Sequence, residues 1–271
     1  MCGLSRDKRE TGITANIKRL INMKLKIFIL FEFLTFNIIC GQTNNQEMMT
    51  TINFGGVNCY LVQTDTSFIL IDNGFSVKRD LLVKRLEDLG CNPGNLRLII
   101  LTHGDHDHTG NSAFLRNKYG AKIAMHADDS VIVEKGDMKW NRKDKPDKIS
   151  LTFRAILLMS HIFKPSEFER FKPDIYLDEN FDLSYYNFDA KVIHIPGHSK
   201  GSIGILTGDG SLFCGDFLYN LFGKPDTDFC DNIDDFNASV EKLKRYKINT
   251  FYPGHGKSFT MEQFTIFRNR D

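Results

Sequence analysis

The sequence predicts an α/β protein, an αββα sandwich in four layers. Two observations carry that prediction. Short apolar, β-rich runs fall into two successive groups, with segments of helical periodicity beside them. Four of these runs end in a glycine-containing turn that carries histidine or aspartate: LRLIIL leads into THGDHDH, KVIHI into PGHS, SLFC into GD, and NTFY into PGHG. Strand ends hold side chains rigidly, and glycine lets neighbouring turns approach closely. Such turns build a cleft at the edge of packed sheets.

The elements follow in order. Residues 1–22 are polar and patternless and read as a leader outside the fold. Residues 23–41 begin at Met23, an alternative translation start, with Lys24 and Lys26 ahead of an apolar stretch from Ile27 to Ile39. That order is the pattern of a secretory signal, so export to the periplasm or cell envelope is expected, with the cytoplasm as the alternative. The stretch is too short, and too interrupted by Glu32, for a stable membrane span. The domain proper is placed at 51–271. Cys59–Gln63 and Phe68–Asp72 suggest an antiparallel hairpin around a polar turn. Val77, Leu81, Leu82, Leu86 and Leu89 stand at helical spacing, ended by Gly90. Leu96–Leu101 is a buried strand, Asn111–Tyr119 a helix stopped by Gly120, and Lys122–His126 another strand. Residues 128–180 are more charged, hold WNRKDKPDK and one apolar helical stretch over 151–163, and read as a lid insertion. Its apolar lining is sought among Trp140, Phe163, Tyr176 and Phe181, for which ordinary packing is an equal reading. Strands at Ala190–Ile195, Ser202–Thr207 and Ser211–Cys214 come next, then a helix over 234–246. Asn249–Tyr252 is the last strand, and the capping-box pattern Thr260-x-x-Gln263 opens the last helix.

Composition excludes some partners. Lys plus Arg number 35 against 34 Asp plus Glu, and the single Trp offers little stacking surface, so nucleic acid is not expected. A small-molecule substrate is. The six cysteines form no CxxC or CxH pair; Cys59 and Cys214 sit in apolar runs as small buried hydrophobes.

The ligand inventory is the informative part. His103, Asp105, Asp107 and His108 lie within one turn, and His198, Asp216 and His255 come from distant strand ends. One metal could take His103, Asp105 and His198; a second could take Asp107, His108 and His255, with Asp216 bridging. Two divalent ions are expected, zinc first, with manganese or iron as alternatives. Asp107 and Asp216 are the candidate catalytic groups beside a bridging hydroxide. His126, His161 and His194 are read as ordinary core or surface histidines. His106, flanked by candidate ligands, is expected to point out of the loop.

These motifs resemble those of the metallo-β-lactamase superfamily from about Thr51 to near the end. GVNCYLV and FILIDNG are similar to its opening hairpin, THGDHDHTG to its His-x-His-x-Asp-His signature, and IPGHSKGSIG to its Pro-Gly-His element. FCGDFL resembles the bridging-aspartate strand and YPGHG the last histidine turn. The resemblance implies the αββα sandwich and hydrolysis by a metal-bound hydroxide on an ester, thioester, lactone or amide. Asp105 stands where the family's second histidine falls. A carboxylate there adds negative charge, which should damp the Lewis acidity of that metal and favour harder cations. The same exchange, with the few residues after His255, argues against true β-lactamase or glyoxalase II activity. Two rivals stay open: a mononuclear iron dioxygenase of the persulfide dioxygenase type, and a non-catalytic metal-binding protein.

Overall fold

The computed structural model describes residues 48–268, apart from residues 55, 66, 152, 153, 155–168 and 228. The leader, the signal segment, Cys2, Cys40, His161, Phe163 and most of the helix expected over 151–163 lie outside the described residues. Among those described, no helix is long and apolar enough to cross a membrane.

The first half comprises β1 (Met48–Phe54), β2 (Val57–Gln63), β3 (Phe68–Ile71), α1 (Arg79–Asp88), β4 (Leu96–Ile100), α2 (His106–Thr109), α3 (Ser112–Tyr119), β5 (Lys122–Met125) and α4 (Ala127–Lys135). Then come β6 (Lys148–Ile149), β7 (Ile175–Tyr176), β8 (Ala190–His194), β9 (Ile203–Thr207), β10 (Ser211–Gly215) and β11 (Phe229–Cys230). The chain continues with α5 (Ile233–Leu243), β12 (Thr250–Pro253), β13 (Phe259–Thr260) and α6 (Met261–Arg268). One sheet runs β1-β2-β3-β4-β5-β7, the other β13-β12-β10-β9-β8, and β11 pairs with β6 alone.

Period-two alternation explains the layering. In β2 and β3, Cys59, Leu61, Phe68 and Leu70 face an outer core with Leu82 and Leu86 of α1 and Leu115 and Tyr119 of α3. Their neighbours Tyr60, Val62, Ile69 and Ile71 face the opposite way, into a core shared with Ile203, Ile205 and Phe213 of the second sheet. Leu212 and Cys214 point beyond that sheet to Phe236, Val240 and Leu243 of α5. Side chains alternate faces along a strand, so two sheets and two helical layers need these three cores. The four-layer αββα architecture is therefore the observed one. Truncating a fully buried ring such as Phe213 to alanine costs about 3–5 kcal/mol in such cores.

Several local details differ from the sequence reading. β1 begins before residue 51 and forms the sheet edge against β2. Of the apolar positions expected on the first helix, Val77 (70% exposed) and Leu81 (51%) face outward. Val77 belongs to a 3-10 turn; Leu82 and Leu86, one turn apart, are buried, and Leu89 packs partly buried against the same core. The stretch 128–180 is not all insertion: α4 buries Ile132 and Val133, and β7 pairs with β5 inside the first sheet. The capping box is formed, Gln263 N donating to Thr260 Oγ1 and Thr260 N to Gln263 Oε1. Cys59, Cys91, Cys214 and Cys230 are buried free thiols.

Candidate metal centre

Parallel pairing places the functional turns side by side. β3 runs parallel to β4, so Asp72, just past β3, lies beside Thr102, just past β4. β10 runs parallel to β12, which sets Gly215-Asp216 against Pro253-Gly254-His255. Asn58 N donates to Gly254 O at 2.8 Å and the Tyr60 hydroxyl to Pro253 O at 2.6 Å, joining the two sheets at this edge. The approach is close enough that a Cβ on Gly254 would overlap Asp216 Oδ1 and His108. One on Gly215, whose φ is +51°, would overlap Thr102.

All seven residues singled out by the sequence come together here, in two groups: His103, Asp105 and His198 in one, Asp107, His108, Asp216 and His255 in the other. In the first, Asp105 Oδ2 is 3.1 Å from His198 Nε2 and 3.6 Å from His103 Nε2. In the second, Asp216 Oδ1 is 3.2 Å from His108 Nε2, and Asp107 Oδ2 and Asp216 Oδ2 are each 3.3 Å from His255 Nε2. Asp216 also reaches the first group, 3.9 Å from His103 Nε2.

Each histidine is held from behind through Nδ1. His108 Nδ1 pairs with Asp72 Oδ2 at 2.8 Å, His255 Nδ1 with Gly56 O at 2.9 Å, and His198 Nδ1 with Phe229 O at 3.1 Å. Thr102 Oγ1 gives its proton to Asp72, so at 3.0 Å it accepts from His103 Nδ1. Acceptors on four Nδ1 atoms leave four Nε2 lone pairs directed inward, the orientation that metal-ligating imidazoles take from their outer partners. Fully buried His103 Nε2 and Asp216 Oδ1 have no hydrogen-bond partner among the described residues. Buried polar atoms are nearly always satisfied, and a divalent cation supplies what these lack. The donor set fits two such ions.

Charge tells the same story. Burial opposes ionisation of Asp216, yet His255 and His108 hold its carboxyl well below the usual range. Against the same opposition, His108 and His255 hold Asp107 down to about 2. Burial would depress the imidazoles, but Asp216 and Asp107 outweigh it, raising His108 well above its ordinary value and His255 to about 10. His198, by contrast, is pushed down, chiefly by burial. The second group therefore carries protons where a metal would otherwise sit.

Sequence reasoning missed three groups. Asp72, itself at φ 57°, accepts from Thr102 N and Oγ1 and from His108, and so anchors both donor groups. Asp129, fully buried, accepts from Gly104 N, Ser199 Oγ and Gly201 N, tying two ligand loops together. Arg142 reaches Asp105 and His198 from the charged stretch. Asp72 lies inside the FILIDNG motif, which offered a signal; a lone Asp or Arg in a polar run offers none. His106 turns to Phe75 and Met138 rather than to either group. His126 and His194, read as unremarkable, stack at 4.2 Å across the two sheets. A cavity of about 530 Å³ opens at Asp105, lined also by Met138, Lys139, Arg142, Lys143, Phe229 and Asp231. The expected aromatic lining lies elsewhere: Trp140 is half exposed beneath Lys135, Tyr176 is exposed, and Phe181 packs on the core between the sheets.

Fold and site together define an αββα metal-binding protein. A sequence model of the metallo-beta-lactamase superfamily matches residues 52–255. The chain belongs to that superfamily and is a metallo-hydrolase. It is 28% identical over 214 residues to the hydroxyacylglutathione hydrolase GloC of Haemophilus influenzae, covering 76% of this chain and 88% of that one. The subclass B3 metallo-beta-lactamase BJP-1 of Bradyrhizobium japonicum shares the fold at 20% identity, TM-score 0.57, covering 78% and 76% of the two chains. A protein solved in a di-iron-bound form, TTHA1623, does so at 24% identity, TM-score 0.57, over 80% and 96%.

Proposed function

We propose that the protein hydrolyses an acyl thioester or ester of a small molecule at a two-metal site, with zinc in both positions. The observation that carries this reading is the set of four Nδ1-anchored histidines whose Nε2 atoms converge with three carboxylates. Two bound divalent ions supply a water activated at neutral pH and polarisation of the carbonyl oxygen. The chain's own residues do the rest. Asp107 holds Oδ2 at the inner edge of the second group, 3.3 Å from His255 Nε2, where it would accept a hydrogen bond from the attacking water and orient it. Tyr219 donates to Asp216 Oδ2 at 2.7 Å; burial first, and Asp216 next, keep its phenol protonated as that donor. Asp216 is thereby oriented toward both groups. Met138 and Phe229 give the neighbouring cavity an apolar wall, and Lys139 can meet a carboxylate on the substrate.

The relatives named hydroxyacylglutathione hydrolases favour the thioester among the ester, thioester, lactone and amide readings, and they weigh against the argument from Asp105 that spoke against glyoxalase II activity. The anchoring of His255 and the place of Asp107 support two metals over the one of an iron dioxygenase. Residues 23–41 support export, which cell fractionation checks. The direct test counts metals in protein purified without supplements, then screens thioesters, esters and lactones with oxygen uptake in parallel. Two metals per chain and turnover of a thioester or ester without oxygen uptake are the expected results. Oxygen consumption with one iron atom would replace the reading by the dioxygenase. Two metals with no turnover would leave a binding protein.

A further inference from the structure

Arg142 sits in the stretch WNRKDKPDK, which the sequence marks only as charged. Its side chain is 8% exposed. Nη2 donates to Asp105 Oδ1, and Nη1 donates to the main-chain oxygen of His198 at 2.6 Å. The guanidinium carbon lies 5.5 Å from the centre of the Phe229 ring, and the Phe229 carbonyl is the acceptor behind His198 Nδ1. One cation therefore grips the side chain of one member of the first donor group and the main chain of another. Its delivery is built. Asn141, immediately before it, holds φ at 59°, a region that non-glycine residues seldom occupy. The Asn141 amide donates to Asp128 O, and its oxygen accepts from Lys200 Nζ at 3.0 Å. With both ends of the guanidinium engaged and so little of it exposed, Arg142 is not free to meet a substrate anion. Lys139, which lines the cavity at Asp105, is left for that; Lys143 Nζ is held by Asp147 at 2.8 Å.

Charge counting shows what the contact does. His103 and His198 are neutral as ligands and Asp105 carries one negative charge, which Arg142 cancels. The group has the net charge that three imidazoles would have. The contact also occupies Oδ1, leaving Oδ2, the oxygen facing His103 and His198, as the ligating atom. We infer that Arg142 is a positioning residue: it neutralises Asp105 and holds it to one ligating oxygen, so that the first donor group selects zinc over harder cations. The inference rests on the two-metal reading above. It reverses the expectation that a carboxylate at 105 shifts this site toward manganese. Harder cations favour charged, oxygen-rich and bidentate coordination, which a free Asp105 would offer and a paired one does not.

The test compares the full-length wild type with R142Q, R142K, D105H and D105H/R142Q. R142Q is the informative change, because glutamine can still donate to the His198 carbonyl but carries no charge. Each metal-free protein is titrated with Zn²⁺ and Mn²⁺ against a chelating dye, and the Co²⁺ spectrum is recorded for each. For R142Q the expected result is a rise of roughly tenfold in Mn²⁺ relative to Zn²⁺ affinity at one of the two sites, within the range for outer partners of ligands. Its Co²⁺ bands shift, while R142K stays near wild type. D105H alone should hold a single metal tightly, in the second group, because a buried guanidinium that has lost its contact carboxylate then faces the first. D105H/R142Q should regain both. An unchanged Zn²⁺ to Mn²⁺ ratio in R142Q, or D105H binding two metals as tightly as the double variant, overturns the inference. If R142Q does not fold, R142M in both backgrounds carries the same comparison. Wild type that binds two metals and hydrolyses nothing sinks only the proposed function. Wild type that takes no metal at His103, Asp105 and His198 sinks both.

Discussion

The two donor groups lie at one sheet edge and share the Asp72 wall, yet their charge is balanced in different ways. The first has one carboxylate, Asp105, paired with a buried arginine. The second has two, Asp107 and Asp216, and among the described residues no lysine or arginine pairs with either; their partners are His108 and His255. Buried charge must be paired, so without metal the second group takes its cations from protons, and the first need not. The difference teaches that ligand type alone does not set a site's charge balance. What stands behind the ligands does.

The most disruptive way to break the comparison is to remove the residue the groups share. Asp216→Ala should lose metal from both, with kcat/KM falling by at least roughly 10²–10³-fold, the range for losing one electrostatic stabiliser of a transition state. Elemental analysis beside kinetics reads this. If Asp216→Ala retains two tightly held metals, Asp216 does not bridge.

Asp72→Asn tests the common wall. It should weaken metal affinity about 10–100-fold, the usual cost of an outer partner. The second group should suffer more, since His108 bonds Asp72 directly while His103 does so through Thr102. Equal losses at both sites would erase that distinction.

pH sharpens the contrast without a mutation. His255 in the metal-free fold is raised from 6.5 to about 10, so its stabilising contribution is fully present below pH 6.5 and is lost as pH rises toward 10. Asp107 is lowered from 3.8 to about 2, so its contribution is present above pH 3.8 and is lost as pH falls through 2. Metal-free protein should therefore melt highest between about pH 4 and 6.5, and metal should restore the alkaline side. Loading the second group at pH 7 should release protons, and acid should strip it before the first. Calorimetry in buffers of different ionisation enthalpy measures the release.

The smallest effect belongs to the cavity. Lys139→Ala, in the cavity that opens at Asp105, should raise KM a few-fold for a carboxylate-bearing substrate and leave kcat nearly unchanged, as loss of uniform binding does. For a substrate without that carboxylate, KM should not move.

Much of this was open to inspection before any coordinates. The nearly unbroken apolar runs CYLV and LII announce strands buried on both faces, because successive side chains point to opposite faces of the backbone. The seven His and Asp positions stand out because each falls in a glycine turn at the end of such a run. Helix faces were less legible: Leu81 and Leu82 are equally apolar, and only the helix start at Arg79 turns one out and the other in.

The sequence by itself determined the strands, the turns and the kind of atoms those turns present, since these follow from periodicity along a few bonded residues. The tertiary structure alone decided which charge meets which. Asp72 lies 36 residues from His108, Arg142 lies 37 from Asp105, and Asp129 lies 72 from Gly201. Arg142 is one of 35 basic residues. Nothing local distinguishes it, because an ion pair depends on distance in space, and that distance exists only once the two sheets have closed on each other.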